Sequence, residues 1–176
     1  MIQISSLMVT FGLSLLLWPN VMLSNAHPLV RRVENIDIQV TSNDNFCSYL
    51  PPSPGETIAK GEGNAVPFCT QKQEPGTRTF PEGFIVSSHF DQTDTYVQVT
   101  GRIDPSKYEL SESDGGGQYD NKNEHGGTCN GYKYWVNLVE PAQGTFCIRC
   151  CENRDDCNTG ISEAGCEGII KGADYS

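Results

Sequence analysis

The sequence predicts an all-β or β-dominated fold, most simply a small disulfide-stapled sandwich or open barrel with a cysteine-rich C-terminal segment. Three observations carry that expectation. Two pairs of β-rich runs are each joined by a short polar stretch, proline and glycine interrupt the chain too often for long helices, and eight cysteines all lie beyond residue 46. Neither a heptad pattern nor an internal repeat competes with this reading.

The first strand is expected over Asn35 to Val40, where Ile36, Ile38 and Val40 alternate with polar residues and share one face. From Pro51 to Pro75, five prolines with Gly55, Gly61 and Gly63 predict an ordered loop without regular structure, tied at its ends by Cys47 and Cys69. Gly83 to Phe90 and Thr95 to Ile103 predict a hairpin across the polar loop Asp91 to Asp94. Tyr96, Val97 and Val99 supply the branched and aromatic side chains that suit a pleated surface. Ser111 to Gly127, with three consecutive glycines at 115–117, predicts an exposed loop. A second hairpin is expected from Tyr132 to Val139 and Thr145 to Arg149, across residues 140–144. On an alternating strand Trp135 faces away from Tyr134, so one side of that strand belongs to a core. Only Asp155 to Ile170 has room for a short helical turn.

The cysteines Cys47, Cys69, Cys129, Cys147, Cys150, Cys151, Cys157 and Cys166 read as a disulfide framework, because an even count in an exported chain favours full pairing. Spacing narrows the pairs. Cys47 and Cys69 stand alone in the N-terminal half and are expected to close the proline-rich loop, worth about 3 kcal/mol of loop entropy. Cys147 and Cys151 share a strand face while Cys150 points the other way. Cys150 is therefore expected to reach Cys129, and Cys147 and Cys151 to pair with Cys157 and Cys166 in an order left open. The Cys147-x-x-Cys150-Cys151 cluster could also read as a redox or zinc motif, but no helix follows it to lower a thiol pKa, which favours structural bridges.

Residues 1–26 read as a signal peptide: an apolar run from Leu7 to Leu23, then small residues at Ser24 and Ala26 that suit cleavage after Ala26. The uninterrupted apolar length falls short of the roughly 20 residues a membrane span needs. Arg31 and Arg32 form a dibasic pair, so 27–32 reads as a short propeptide and 33–176 as a single secreted cysteine-rich domain, one ordinary core in size. The chain carries 22 acidic and 12 basic residues, a net charge of −10. Such a surface repels phosphate backbones and anionic lipid, which argues against nucleic acid and membrane-surface partners. No Asn-x-Ser/Thr sequon occurs.

Candidate chemistry is sparse. Glycoside hydrolysis needs two carboxylates about 5 to 10 Å apart, and Glu112 with Asp114, Asp91 with Asp94, and Asp155 with Asp156 are near neighbours, but an acidic chain yields such pairs by chance. No Gly-x-Ser-x-Gly motif is present, and His27, His89 and His125 are the only histidines. His89, near the end of a predicted strand, reads as a half-exposed structural histidine, and His125 as a surface residue. Cleavage after Ala26 would make His27 the amino terminus, where its amine and imidazole could bind copper; the competing reading makes it part of a discarded propeptide.

From Gly115 onward the chain resembles a group of fungal secreted glycoproteins, the macrophage-activating-glycoprotein-like proteins. The resemblance rests on Gly116-Gly117-Gln118-Tyr119-Asp120, the aromatic Tyr134-Trp135, Gly144-Thr145-Phe146-Cys147-Ile148-Arg149-Cys150-Cys151, and the terminal Glu163-Ala164-Gly165-Cys166, about a third of the chain. It implies a fungal extracellular protein without a known catalytic activity. The expected function is that of a non-enzymatic effector, wall-associated or surface-interaction protein, presenting the loops at 51–75 and 111–127 to an extracellular protein or polysaccharide and needing no cofactor. The alternative is a secreted carbohydrate-active enzyme, hydrolytic or copper-dependent through His27.

Overall fold

The computed structural model of the chain describes residues 36–73, 75–122 and 127–176. The expected signal peptide and propeptide, together with His27 and His125, lie outside the described residues. The fold is β-dominated. Its strands are β1 (Asp37–Ile38), β2 (Val40–Ser42), β3 (Asn45–Leu50), β4 (Val66–Cys69), β5 (Arg78–Thr79) and β6 (Ile85–Gln92). The series continues with β7 (Tyr96–Ile103), β8 (Gly117–Asp120), β9 (Thr128–Cys129), β10 (Tyr134–Glu140) and β11 (Thr145–Cys151), before one short helix, α1 (Gly165–Ile169). They form a five-stranded antiparallel sheet in the order β6-β7-β11-β10-β8, a four-stranded sheet in the order β2-β3-β4-β5, and a parallel pair β1-β9.

The five-stranded sheet is covered on both faces. On one side lies the four-stranded sheet, and the core between them gathers Phe46, Leu50 and Phe68 with Val99, Trp135, Val139, Phe146 and Ile148. Phe46 stacks on Phe146 with ring centroids 5.6 Å apart, and Tyr49 on Trp135 at 4.6 Å. Each of these side chains contributes roughly 1.5 to 3 kcal/mol by leaving water. The opposite face carries the C-terminal segment after Cys151, whose Cys157, Cys166 and Ile170 pack on Val136, Leu138, Cys147 and Cys151. Burial on both faces explains why β10 and β11 read as nearly unbroken apolar runs, without the polar alternation of a half-exposed strand.

The two hairpins lie where the periodicity predicts them. The alternation of β11 divides its cysteines: Phe146, Ile148 and Cys150 face the small sheet, Cys147 and Cys151 face the C-terminal cap. The bridges follow that division. Cys150 joins Cys129 in β9, Cys147 joins Cys166 in α1, Cys151 joins Cys157, and Cys47 joins Cys69.

Three segments differ from the sequence reading. The single first strand expected over Asn35 to Val40 is divided between β1, paired with β9, and β2, paired with β3 in the four-stranded sheet. The proline-rich stretch contains β4, paired in register with β3 so that Cys47 opposes Cys69 and Tyr49 opposes Pro67. Pro67 is tolerated there because Tyr49–Pro67 is a non-hydrogen-bonded pair: the Tyr49 N–H turns away from β4 to Asn137 Oδ1, at 2.7 Å. The missing N–H of Pro67 therefore faces the other flank, where β5 pairs only from Phe68 onward. The glycine-rich stretch, expected as an exposed loop, contains the edge strand β8, with Tyr119 and Asp120 buried. The backbone, not composition, decides this: a Cβ at Gly116, whose φ is +99°, would meet the Val139 carbonyl at 2.3 Å. The other edge, β6, is blunted by side chains, since Asn43 Oδ1 accepts the Phe90 N–H and Asp91 Oδ1 the Gln92 N–H.

Candidate functional site

Where β8 meets the C-terminal cap an open cleft of about 680 Å³ forms, lined by Gly115 to Gln118, Asp120, Lys122, Glu140 and the cap residues Thr159, Ser162 and Glu163. The register creates it. Gln118 opposes Leu138 and Asp120 opposes Val136, which puts both polar side chains on the face that the cap covers. Glu140 belongs to the same phase of β10 as Val136 and Leu138.

The walls are held by local bonds. Asp114 accepts the main-chain N–H of Ile58 at 2.8 Å and of Gly116 at 3.0 Å, pinning the glycine turn to the 3-10 turn at Ile58–Gly61. Asp120 accepts the Lys122 N–H at 2.7 Å and the Gln118 amide at 2.8 Å, and that amide also reaches the Thr159 carbonyl at 3.2 Å. The Lys122 ammonium donates to the Thr159 hydroxyl. Opposite, Glu140 accepts the Thr145 hydroxyl at 3.0 Å and the Cys166 N–H at 3.1 Å, so the start of α1 is tied to the sheet by this bond and by the Cys147–Cys166 bridge. Gly165 is required at the seam: its φ is +68°, and a Cβ would lie 2.4 Å from the Glu140 carboxylate. Among the described residues the buried Gln118 Oε1 has no hydrogen-bond partner.

This arrangement offers fixed donors and acceptors. Four carboxylates line it, Glu62, Asp120, Glu140 and Glu163; Val136 and Glu140 are four residues apart on β10, so the main-chain positions of Asp120 and Glu140 lie about 13 Å apart. The pairs singled out by sequence have other roles: Asp114 fixes the glycine turn, Asp91 accepts the Gln98 amide at 3.4 Å, and Asp155 is exposed. His89 sits on β6 with Nδ1 3.3 Å from the Asp174 carboxylate. Among the described residues no group of three or more His, Cys, Asp or Glu is placed to hold a metal, and no helix is long and apolar enough to cross a membrane. Of the cleft residues, Lys122, Glu140, Thr159 and Ser162 escaped the sequence reading; the signal that could have found Glu140 is its shared phase with Val136 and Leu138.

No family model matches the chain, and no solved structure matches it. Two curated fungal relatives do. Appressorium protein ROW1 of Mycosarcoma maydis is 31% identical over 130 residues, covering 64% of this chain and 30% of that protein. Appressorium protein ROW2 of the same fungus is 35% identical over 97 residues, covering 54% of this chain and 32% of that protein. The chain thus spans about a third of the length of the relatives it matches and is distantly similar to them over about half or more of its own. Its four disulfides suggest an oxidising, extracellular environment.

Proposed function

We propose that this chain is a secreted fungal protein, related in role to proteins named for the appressorium, that binds neutral polysaccharide non-catalytically through the cleft between β8 and the cap. The observation that carries the reading is the cleft itself: amide, hydroxyl and carboxylate groups held in place by main-chain bonds and a disulfide, beside glycines that let a ligand approach the backbone. Hydrogen-bonding groups of this kind match sugar hydroxyls, and the net charge of −10 favours a neutral partner over an anionic one. Among the described residues no aromatic ring lines the cleft, so affinity per sugar is expected to be weak.

On this reading residues 1–26 are removed as a signal peptide and 27–32 as a propeptide, and the likeness to macrophage-activating-glycoprotein-like proteins supports the same location. Intact mass of protein recovered from medium checks that part: a chain beginning at His27 or Val33 supports export, and one beginning at Met1 contradicts it. The binding part is tested by titrating the oxidised chain with soluble cello-, chito-, laminari- and manno-oligosaccharides while following amide resonances. Shifts confined to Gly115–Asp120 and Thr159–Gly165 for one of these sugars support the reading. Silence with all four, or capture of an extracellular protein at the same residues, overturns the polysaccharide assignment.

A further inference from the structure

Beyond the cleft, the same register builds a second hollow. Gln118 and Asp120 face the cap from β8, and the alternation carried two residues further brings Lys122 to that side. Tyr134 begins β10 in the phase of Val136 and Leu138 and packs its ring on the cap cluster. On the cap, the Cys151–Cys157 bridge closes a short loop whose 3-10 turn, Arg154–Asp156, carries Arg154. Between these elements lies a hollow of about 410 Å³, lined by Asn121, Lys122, Lys133, Tyr134, Arg154 and Thr159.

Its charge is the reverse of the cleft's. Four carboxylates and one cation, Lys122, line the cleft; three cations and, among the described residues, no carboxylate line the hollow. In a chain with 22 acidic and 12 basic residues this is a local inversion of sign. The ion pairs among the described residues, His89 with Asp174 and Lys107 with Asp104, involve none of the three. Lys122 donates to the Thr159 hydroxyl, the Lys133 ammonium lies 5.7 Å from the centre of the Tyr134 ring, and Arg154 is exposed. Asp155 and Asp156 follow Arg154 in its turn, but neither lines the hollow. One guanidinium fork and two ammonium groups gathered at one concavity are complementary to an anion.

A carboxylate suits this set better than a phosphate. The guanidinium presents a planar fork to a planar carboxylate, and the net charge of −10 repels a dianion more strongly than a monoanion. Beside the cations, the Tyr134 ring offers an apolar face, and the Asn121 amide and Thr159 hydroxyl offer hydrogen bonds, as a sugar ring requires. We propose that the hollow binds a uronic acid, carried as a single acidic substituent on the otherwise neutral polysaccharide of the cleft. Lys122 and Thr159 line both, so the two sites adjoin. Attachment of the acidic unit to a polysaccharide rests on the cleft binding sugar, whereas its recognition stands on the three cations and the tyrosine.

The test is an amide NMR titration of the full, oxidised chain with methyl glucuronoside, methyl glucoside and sulfate, each as its sodium salt or with sodium chloride to equal ionic strength. The glucuronoside is expected to shift the amides of Lys133, Tyr134 and Arg154, which line the hollow and not the cleft, and the glucoside, the same ring without the carboxylate, to leave them in place. The double variant Lys133→Gln/Arg154→Gln, changed at exposed residues, should bind the glucuronoside about three- to tenfold more weakly, the size appropriate to exposed charges. Shifts at Gly115–Gly117 and Ser162 with neutral oligosaccharides should be the same in variant and wild type. Equal shifts with the glucoside, equal shifts with sulfate, no shift at Lys133, Tyr134 and Arg154, or an unchanged affinity in the variant would each overturn the proposal. Failure of the cleft reading is seen separately, as silence at Gly115–Gly117 and Ser162, residues the hollow does not share.

Discussion

Asn137 of β10 accepts the main-chain N–H of Tyr49 of β3 at 2.7 Å, joining the two sheets at a point where both residues are buried. The same oxygen accepts the Ser48 hydroxyl at 2.8 Å. Asn137 thus serves as a shared acceptor for two groups of β3 in the middle of an apolar interface. Asn137→Ala is expected to destabilise the chain by about 1 to 3 kcal/mol, by removing the acceptor of two buried hydrogen bonds. Denaturant unfolding checks this, and Asn137→Leu should do no better despite its greater apolar volume.

A pH effect is expected at the turn Pro105–Tyr108. Asp104 accepts the Ser106 hydroxyl at 2.6 Å and the Ser106 N–H at 3.0 Å, and these bonds, led by the hydroxyl, hold its carboxyl below the usual range. Because the folded value is depressed, the contribution is present above the unfolded carboxylate pKa of about 3.9 and is lost as pH falls through the folded value. NMR titration should place the Asp104 midpoint below that of exposed aspartates, and Ser106→Ala should move it upward. An unchanged midpoint in the variant would show that the hydroxyl is not the cause.

The cap is expected to respond separately from the sheets. Replacing Cys147 and Cys166 with alanine removes a bridge that typically contributes about 2 to 4 kcal/mol, and leaves α1 held by the Glu140 bond to the Cys166 N–H. Hydrogen exchange should rise across residues 158–170 while β7 and β11 remain protected. Gly165→Ala should act in the same direction, because its Cβ displaces the Glu140 carboxylate, whereas Gly115→Ala, with open space around it, should be near neutral.

Much of this architecture was legible because β6, β7, β10 and β11 carry their pairing in local pattern: branched and aromatic runs around short polar turns. The bridge faces were legible for the same reason, since the alternation of β11 separates Cys150 from Cys147 and Cys151. What composition hid were β4 and β8. Pro67 argues against a strand unless the register is known, and Gly116 and Gly117 argue for a loop unless the Val139 backbone is seen to press against them. The cleft was half legible for a related reason. Gln118 and Asp120 stood out within their motif, but their alignment with Glu140 and the cap depends on long-range pairing that no local pattern encodes.

Depletion of the oxidised, four-bridged chain from solution by insoluble neutral polysaccharide, compared with a Gln118→Ala/Lys122→Ala variant, tests most directly whether the cleft binds sugar. Both side chains line the cleft and both reach Thr159. The cleft reading predicts that the wild type is retained on at least one of chitin, cellulose, β-glucan or mannan, and that the variant, equally folded by its melting profile, loses about tenfold in affinity, the equivalent of roughly 1.4 kcal/mol. Equal retention of wild type and variant, or no retention of the wild type on any of the four, would contradict it.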